Sequence, residues 1–134
     1  MDSYTSFIDE VRKWMQALLD ISAALSDATR VRVLVALRGG ELCLCHLIGL
    51  LELAPSTVSK HLDLLVRAGL VERRKDGRWA YFRLAGRAAP PVVRHALRWT
   101  LENLDDDAVI ARDAKRLAGL RCCDPKELAA CYKS

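Results

Sequence analysis

The sequence predicts a mainly α-helical chain with one small β-hairpin, ordered as a winged helix-turn-helix, and three observations carry that expectation. "SDATRVRVLVALRGG" and "PSTVSKHLDLLVRAG" both place apolar residues at helical spacing, with a short apolar stretch, "ELCLCHLIGLLEL", between them. "LVERRKDGRWAYFRL" instead alternates in period two around Asp76-Gly77, a pair that tolerates the positive φ of a tight hairpin. With 134 residues, 51% hydrophobic and only four prolines, the chain holds enough apolar material for one domain's core.

Each element has its own signal. Phe7, Ile8, Val11, Met15, Leu18 and Leu19 follow the spacing of an amphipathic helix, flanked by Trp14 and Ile21. Ser26 or Asp27 suits the cap of a second helix, whose apolar positions are Val31, Leu34, Val35 and Leu37 and which Gly39-Gly40 stops. The third is a short helix holding Cys43 and Cys45, ended near Ala54 by Pro55. The fourth starts with Pro55, whose missing N–H costs nothing there, and turns Val58, Leu62, Leu65 and Val66 to the core before Gly69 closes it.

Beyond the hairpin and the Pro90-Pro91 break, Val92, Val93, Ala96, Leu97, Leu101 and Leu104 define a further helix. "DDDAVIARDAKRLAGL" follows as the last, with Asp105 and Asp106 favourable at its positive N-terminal end. Residues 1–120 are expected to form the DNA-binding and dimerisation domain, and residues 121–134 a partly ordered tail that carries cysteines. The first helix and the one from Pro91 to Leu104 have apolar faces that a small winged core does not obviously consume. They are expected to form a homodimer interface, with Trp14 and Trp99 buried.

Charge points to a polyanion. Pro55 to Arg87 carries eight Lys/Arg against three acidic residues, a net +5, while the whole chain is +4, so the remainder sums to −1. The solvent side of the fourth helix offers Ser56, Thr57, Ser59, Lys60, His61 and Arg67, small hydroxyls and cations suited to a major groove. Arg73, Arg74, Lys75 and Arg78 flank the hairpin turn, where they would meet backbone phosphates. The expected partner is double-stranded operator DNA, read by two copies of the chain.

No apolar stretch approaches the ~20 residues of a membrane span, and no signal peptide is visible, so a cytosolic protein is expected. In a reducing compartment five cysteines point to metal binding or redox chemistry rather than to disulfide staples. The sequence holds no Cys-x-x-Cys, no Gly-rich phosphate loop and no paired carboxylates, so an enzyme such as a thiol oxidoreductase or arsenate reductase is not expected. A helix advances about 100° per residue, so two sulfurs two residues apart would diverge within one. A soft ion gripping both Cys43 and Cys45 would therefore bend that helix, and the bend would reach the DNA-reading helix beside it. His46 is expected on the surface.

"ELCLCHL" followed by "STVSKHLDLLVRAGLVERRKDGRWAYFRL" resembles the arsenic-responsive repressors of the ArsR/SmtB family of winged-helix metalloregulators, over about residues 20 to 120. The resemblance implies a homodimer that represses arsenic-resistance genes and leaves DNA when As(III) or Sb(III) binds its cysteines. It carries over Cys43 and Cys45 as ligands. Ile48 replaces the third cysteine of the family motif and His46 an aspartate. The family's other common site, for zinc on a late helix, is not matched: His95 lacks an acidic residue two before it. Cys122 and Cys123 are the leading candidates for a third thiolate, Cys131 a weaker one, and water, chloride or a small thiol would also complete the site. Another thiophilic ion (cadmium, lead or zinc) or a thiol-redox signal is the alternative input.

Overall fold

The computed structural model describes residues 3–121, and the tail cysteines Cys122, Cys123 and Cys131 lie outside the described residues. The chain runs α1 (Ser3–Leu25), α2 (Ala28–Ala36), a 3-10 turn (Leu37–Gly39), β1 (Leu42–Cys43), α3 (Leu44–Leu51) and α4 (Pro55–Arg67). It continues through β2 (Val71–Asp76) and β3 (Trp79–Leu84) to α5 (Pro91–Glu102) and α6 (Ala108–Arg121). Helix, short helix, helix and hairpin in that order make the expected winged helix-turn-helix.

The core lies where α2, α3 and α4 meet the sheet. Leu34, Leu37, Leu42, Leu47, Leu50, Val58, Leu62, Leu65 and Phe82 are fully buried there. Three of the residues predicted to turn inward from α4, Val58, Leu62 and Leu65, are among them, whereas Val66 is only half-buried. Asp27 caps α2, its carboxylate accepting from the Thr29 N–H at 3.0 Å. Gly69 takes φ 79° and ends the α4 segment, the left-handed conformation that a residue with a Cβ avoids.

Two local expectations are corrected. First, the wing hairpin is part of a three-stranded antiparallel sheet of order β1-β3-β2, because Leu42 pairs with Phe82 and Cys43 with Tyr81. Second, Asp76 pairs with Trp79, so the turn residues are Gly77 and Arg78 rather than Asp76 and Gly77. Gly77 alone needs the positive φ, 61°, as in a turn with glycine first. Asp107 caps α6, its Oδ1 accepting from Val109 N–H at 2.8 Å and Ile110 N–H at 3.2 Å. Asp105 is held by Arg38 at 3.0 Å.

Helix α6 packs along α2 and α3. Arg116 donates to the carbonyls of Leu50 and Gly49, both at 3.1 Å, and to Glu52 Oε1 at 2.8 Å, so it satisfies carbonyls that the end of α3 would leave unpaired. Helix α1 is different. Phe7, Met15, Leu18 and Leu19 stay exposed on it. Trp14 is 73% and Trp99 66% exposed, so the expected burial of both tryptophans is not met within a single chain. No helix among the described residues is long and apolar enough to cross a membrane.

Candidate nucleic-acid interface and thiol site

Helix α4 begins with Pro55 at its first turn and no side-chain cap, which leaves its leading N–H groups facing outward. Ser56, Thr57 and Lys60 stand exposed on the first two turns. Ser59 and His61 are half-buried, and His61 Nδ1 lies 3.1 Å from Arg30 Nη1. That arginine also donates to the carbonyls of Ala24 at 3.0 Å and Ala23 at 2.9 Å, tying the end of α1 to α4. Arg67 is exposed but stands at the far end of α4, about 17 Å along the axis from Ser56. There it lines a groove of about 920 Å³ with Trp14, Ile21, Pro90 and Val93.

The four hairpin cations fall into two pairs. Arg73 is held by Asp63 of α4 and lies over the Phe82 ring, 5.4 Å from its centroid. Arg74 is gripped by both oxygens of Glu41, at 2.6 and 3.1 Å, and lies 4.5 Å over Tyr81. This partner holds the Glu41 carboxyl below its usual range, the hydrogen bond from Arg74 being the largest cause. Lys75 and Arg78 are exposed at the wing tip. Arg73 and Arg74 therefore brace the wing to α4 and to the segment ahead of β1, while Lys75 and Arg78 project from it.

The cysteines lie elsewhere than the sequence suggests. Cys43 is not inside a helix: it belongs to β1 and is the residue just before α3, with φ −70° and ψ 150°. Cys45 is in the first turn of α3. Extended backbone at Cys43 removes the divergence a continuous helix would impose, and the two thiols influence one another's titration. The helix bend inferred from the sequence is thus not needed to bring the sulfurs together. Both are buried, Cys43 at 1% exposure and Cys45 at 7%. Burial, followed by the hydrogen bond from Cys43, pushes the Cys45 thiol up to about 12.

His46, expected at the surface, is buried. Its Nδ1 accepts from the Cys43 N–H at 3.3 Å, the return half of a capping box. Among the described residues no group of three His, Cys, Asp or Glu side chains gathers as metal ligands. Glu41 and Tyr81 were not marked by the sequence as part of this site. A longer alternation, polar Glu41, apolar Leu42, then Cys43, was the available hint of β1, but a two-residue strand gives too short a period to count.

A winged helix-turn-helix with an exposed polar helix and a cationic wing tip defines a DNA-binding protein of the transcription-regulator class. The model of the bacterial regulatory protein arsR family matches residues 27–73. The arsenic resistance transcriptional regulator ArsR2 of Pseudomonas putida is 36% identical over 84 residues, covering 62% of this chain and 72% of that protein. The cadmium resistance transcriptional regulatory protein CadC homolog of Staphylococcus aureus is 38% identical over 74 residues, 54% of this chain and 61% of that protein. The homodimeric winged helix-turn-helix DNA-binding domain Mb0332 of Mycobacterium bovis superposes with a TM-score of 0.59 at 26% identity, covering 72% of this chain and 87% of that one. The chain belongs to the ArsR family of bacterial transcriptional regulators. It spans only 48% and 63% of the length of two further arsenic-resistance relatives.

Proposed function

We propose that this chain is a cytosolic repressor that binds operator DNA as a homodimer and releases it when As(III) or Sb(III) bonds to Cys43 and Cys45. The observation that carries the reading is the pair of buried thiols two residues apart at the start of α3, with an extended backbone at Cys43. They suit a soft, thiophilic centre. Loading balances as As(OH)3 and two thiols giving a dithiolate arsenic hydroxide, each thiol proton leaving with an arsenic hydroxide as water.

Cys122 and Cys123 are our candidates for the third thiolate. They follow Arg121 directly, and the Arg121 guanidinium packs at Gly39, in the turn that leads into Glu41 and Cys43. On the DNA side, Ser56, Thr57, Ser59, Lys60 and His61 would enter the groove, with Lys75 and Arg78 on phosphates. Arg67, Arg73 and Arg74 would support the interface from its edges. The exposed apolar face of α1 together with Trp99 is where a second copy would sit, and the similar Mb0332 domain is homodimeric.

Release of the protein's own upstream DNA, titrated with As(III), Sb(III), Cd(II), Pb(II) and Zn(II), tests the reading. Wild type should leave the DNA with As(III) and Sb(III), and a Cys43→Ser/Cys45→Ser variant should stay bound. A double variant released at the wild-type arsenite concentration would refute the ligand assignment. Release by cadmium, lead or zinc alone would reassign the effector. Release by peroxide in a chelated buffer would make it a redox sensor.

A further inference from the structure

Cys43, Tyr81 and Arg74 form one row across the sheet: Cys43 is the Cα partner of Tyr81 on β3, and Tyr81 the partner of Arg74 on β2. Residues opposite one another in neighbouring strands project from the same face, so the three side chains stand side by side. Arg74 lies flat over the Tyr81 ring at 4.5 Å. Its guanidinium then closes the row by its two-pronged bond to Glu41, two residues before Cys43. A thiol of the proposed effector site is thus linked to the root of the wing by one ring and one ion pair.

This row is also a weak point. β1 holds only two paired residues, Leu42 and Cys43, so little backbone bonding keeps it against β3. Both side chains are nonetheless packed into the core. Such interiors have no spare room for an added atom, so a metalloid placed between the two sulfurs must displace something. The rest of the wing hairpin is paired over six residues on each strand, far more firmly than β1 is held. Lys75 and Arg78, its outward cations, follow Arg74 directly along that hairpin.

We propose that Tyr81 and the Glu41–Arg74 pair are positioning residues that carry occupation of Cys43 and Cys45 to the wing. In the free protein Glu41 and the Tyr81 ring hold Arg74, and with it the wing, in the DNA-competent position. Effector bonding shifts β1 against β3, the row loses its register, and the wing tip leaves the phosphates. This rests on the effector reading above and specifies the route by which that site acts.

The test compares full-length wild type with Glu41→Gln and Tyr81→Leu, with Tyr81→Phe as the conservative variant that keeps the ring. Operator affinity is measured by fluorescence anisotropy with and without arsenite, and arsenite stoichiometry by its thiolate absorption band. A coupling of the usual size makes the wild-type ratio of loaded to free Kd roughly 5–150. Glu41→Gln and Tyr81→Leu should still bind arsenite with that ratio reduced at least severalfold, while Tyr81→Phe retains it. A purely structural role would weaken free and loaded states alike and leave the ratio unchanged, and that result in both variants would overturn the proposal. Glu41 is half-buried and glutamine has nearly its shape, so Glu41→Gln keeps the test valid if Tyr81→Leu fails to fold. If arsenite does not release the wild type, the effector reading itself falls and the route with it. If it releases wild type and variants equally, the route alone falls.

Discussion

Arg32 of α2 grips Asp113 of α6 with two hydrogen bonds, Nε to Oδ2 at 2.7 Å and Nη2 to Oδ1 at 3.0 Å, and the Asp113 side chain is 7% exposed. This pair fastens α6 to the helix that opens the winged core. Removing one partner of a buried pair strands the other charge, which costs more than the pair itself is worth. Asp113→Ala should therefore lower the unfolding free energy by roughly 3 kcal/mol. Urea denaturation of both proteins measures this, and a loss below about 1 kcal/mol, the value of an exposed pair, would contradict it.

Such long-range ties explain what the sequence left hidden. The helices, the wing and the inward face of α4 were legible because each repeats over several turns or strand residues. Val58, Leu62 and Leu65 need only a count of 3.6 to be assigned inward. β1 was not legible: Leu42 and Cys43 become strand only because β3 lies beside them, a contact between residues some forty positions apart. Cys43 therefore reads as helical in sequence, where its divergence from Cys45 would force a bend that the strand conformation makes unnecessary. The turn slipped by one residue because Asp-Gly and Gly-Arg both contain the glycine, and only the pairing of Asp76 with Trp79 decides between them. Arg73 and Arg74 were read as free cations because a charge count cannot see Asp63 and Glu41.

Glu52 ends α3 with φ 56°, a left-handed conformation that costs a residue with a Cβ and suits glycine. The ion pair it forms with Arg116 is on the exposed side and contributes little. Relief of the backbone should win, and Glu52→Gly should stabilise the protein by about 0.5–1 kcal/mol. A thermal melt showing a lower Tm for the glycine variant would mean that the ion pair outweighs the backbone.

The raised Cys45 thiol makes a prediction with a definite sign. A thiol lifted from 9.0 to about 12 stays protonated through neutral pH, so its reactive thiolate is suppressed roughly a thousandfold at pH 8. In a Cys122→Ser/Cys123→Ser/Cys131→Ser variant, iodoacetamide should leave Cys45 unmodified at pH 8 and label it readily in guanidinium chloride. Its folded-state labelling should climb as pH rises from about 9 toward 12, the window between the unfolded and folded values. Mass spectrometry reads this directly, and equal rates folded and unfolded at pH 8 would refute the buried, paired placement.

The two pairs of wing cations should separate experimentally. Lys75 and Arg78 project from the tip, so neutralising either should weaken binding to all DNA sequences alike and reduce the slope of log K against log salt by about 1. Arg73 is occupied by Asp63, so Arg73→Ala releases a carboxylate beside the groove-reading helix as well as removing a cation. Its loss of affinity should shrink when Asp63→Asn is added, because the freed negative charge is then gone. Titrations at several salt concentrations test both statements. Additive losses in the Asp63/Arg73 double variant would show that Arg73 meets phosphate directly.

Trp14 on α1 and Trp99 on α5 stay largely in solvent in the single chain, beside exposed Met15 and Leu18. Large apolar patches of this kind mark an interface. A dimer burying them should lose cohesion when a charge is put at the centre, so Trp14→Asp should elute at half the wild-type mass in size-exclusion chromatography with light scattering. Because Trp14 is exposed in the protomer, the variant should keep the far-UV circular dichroism of the wild type. Two half-sites are read only when two recognition helices are held at fixed spacing, so operator affinity should fall at least tenfold while binding to random DNA changes little. A dimeric Trp14→Asp protein would move the interface away from α1.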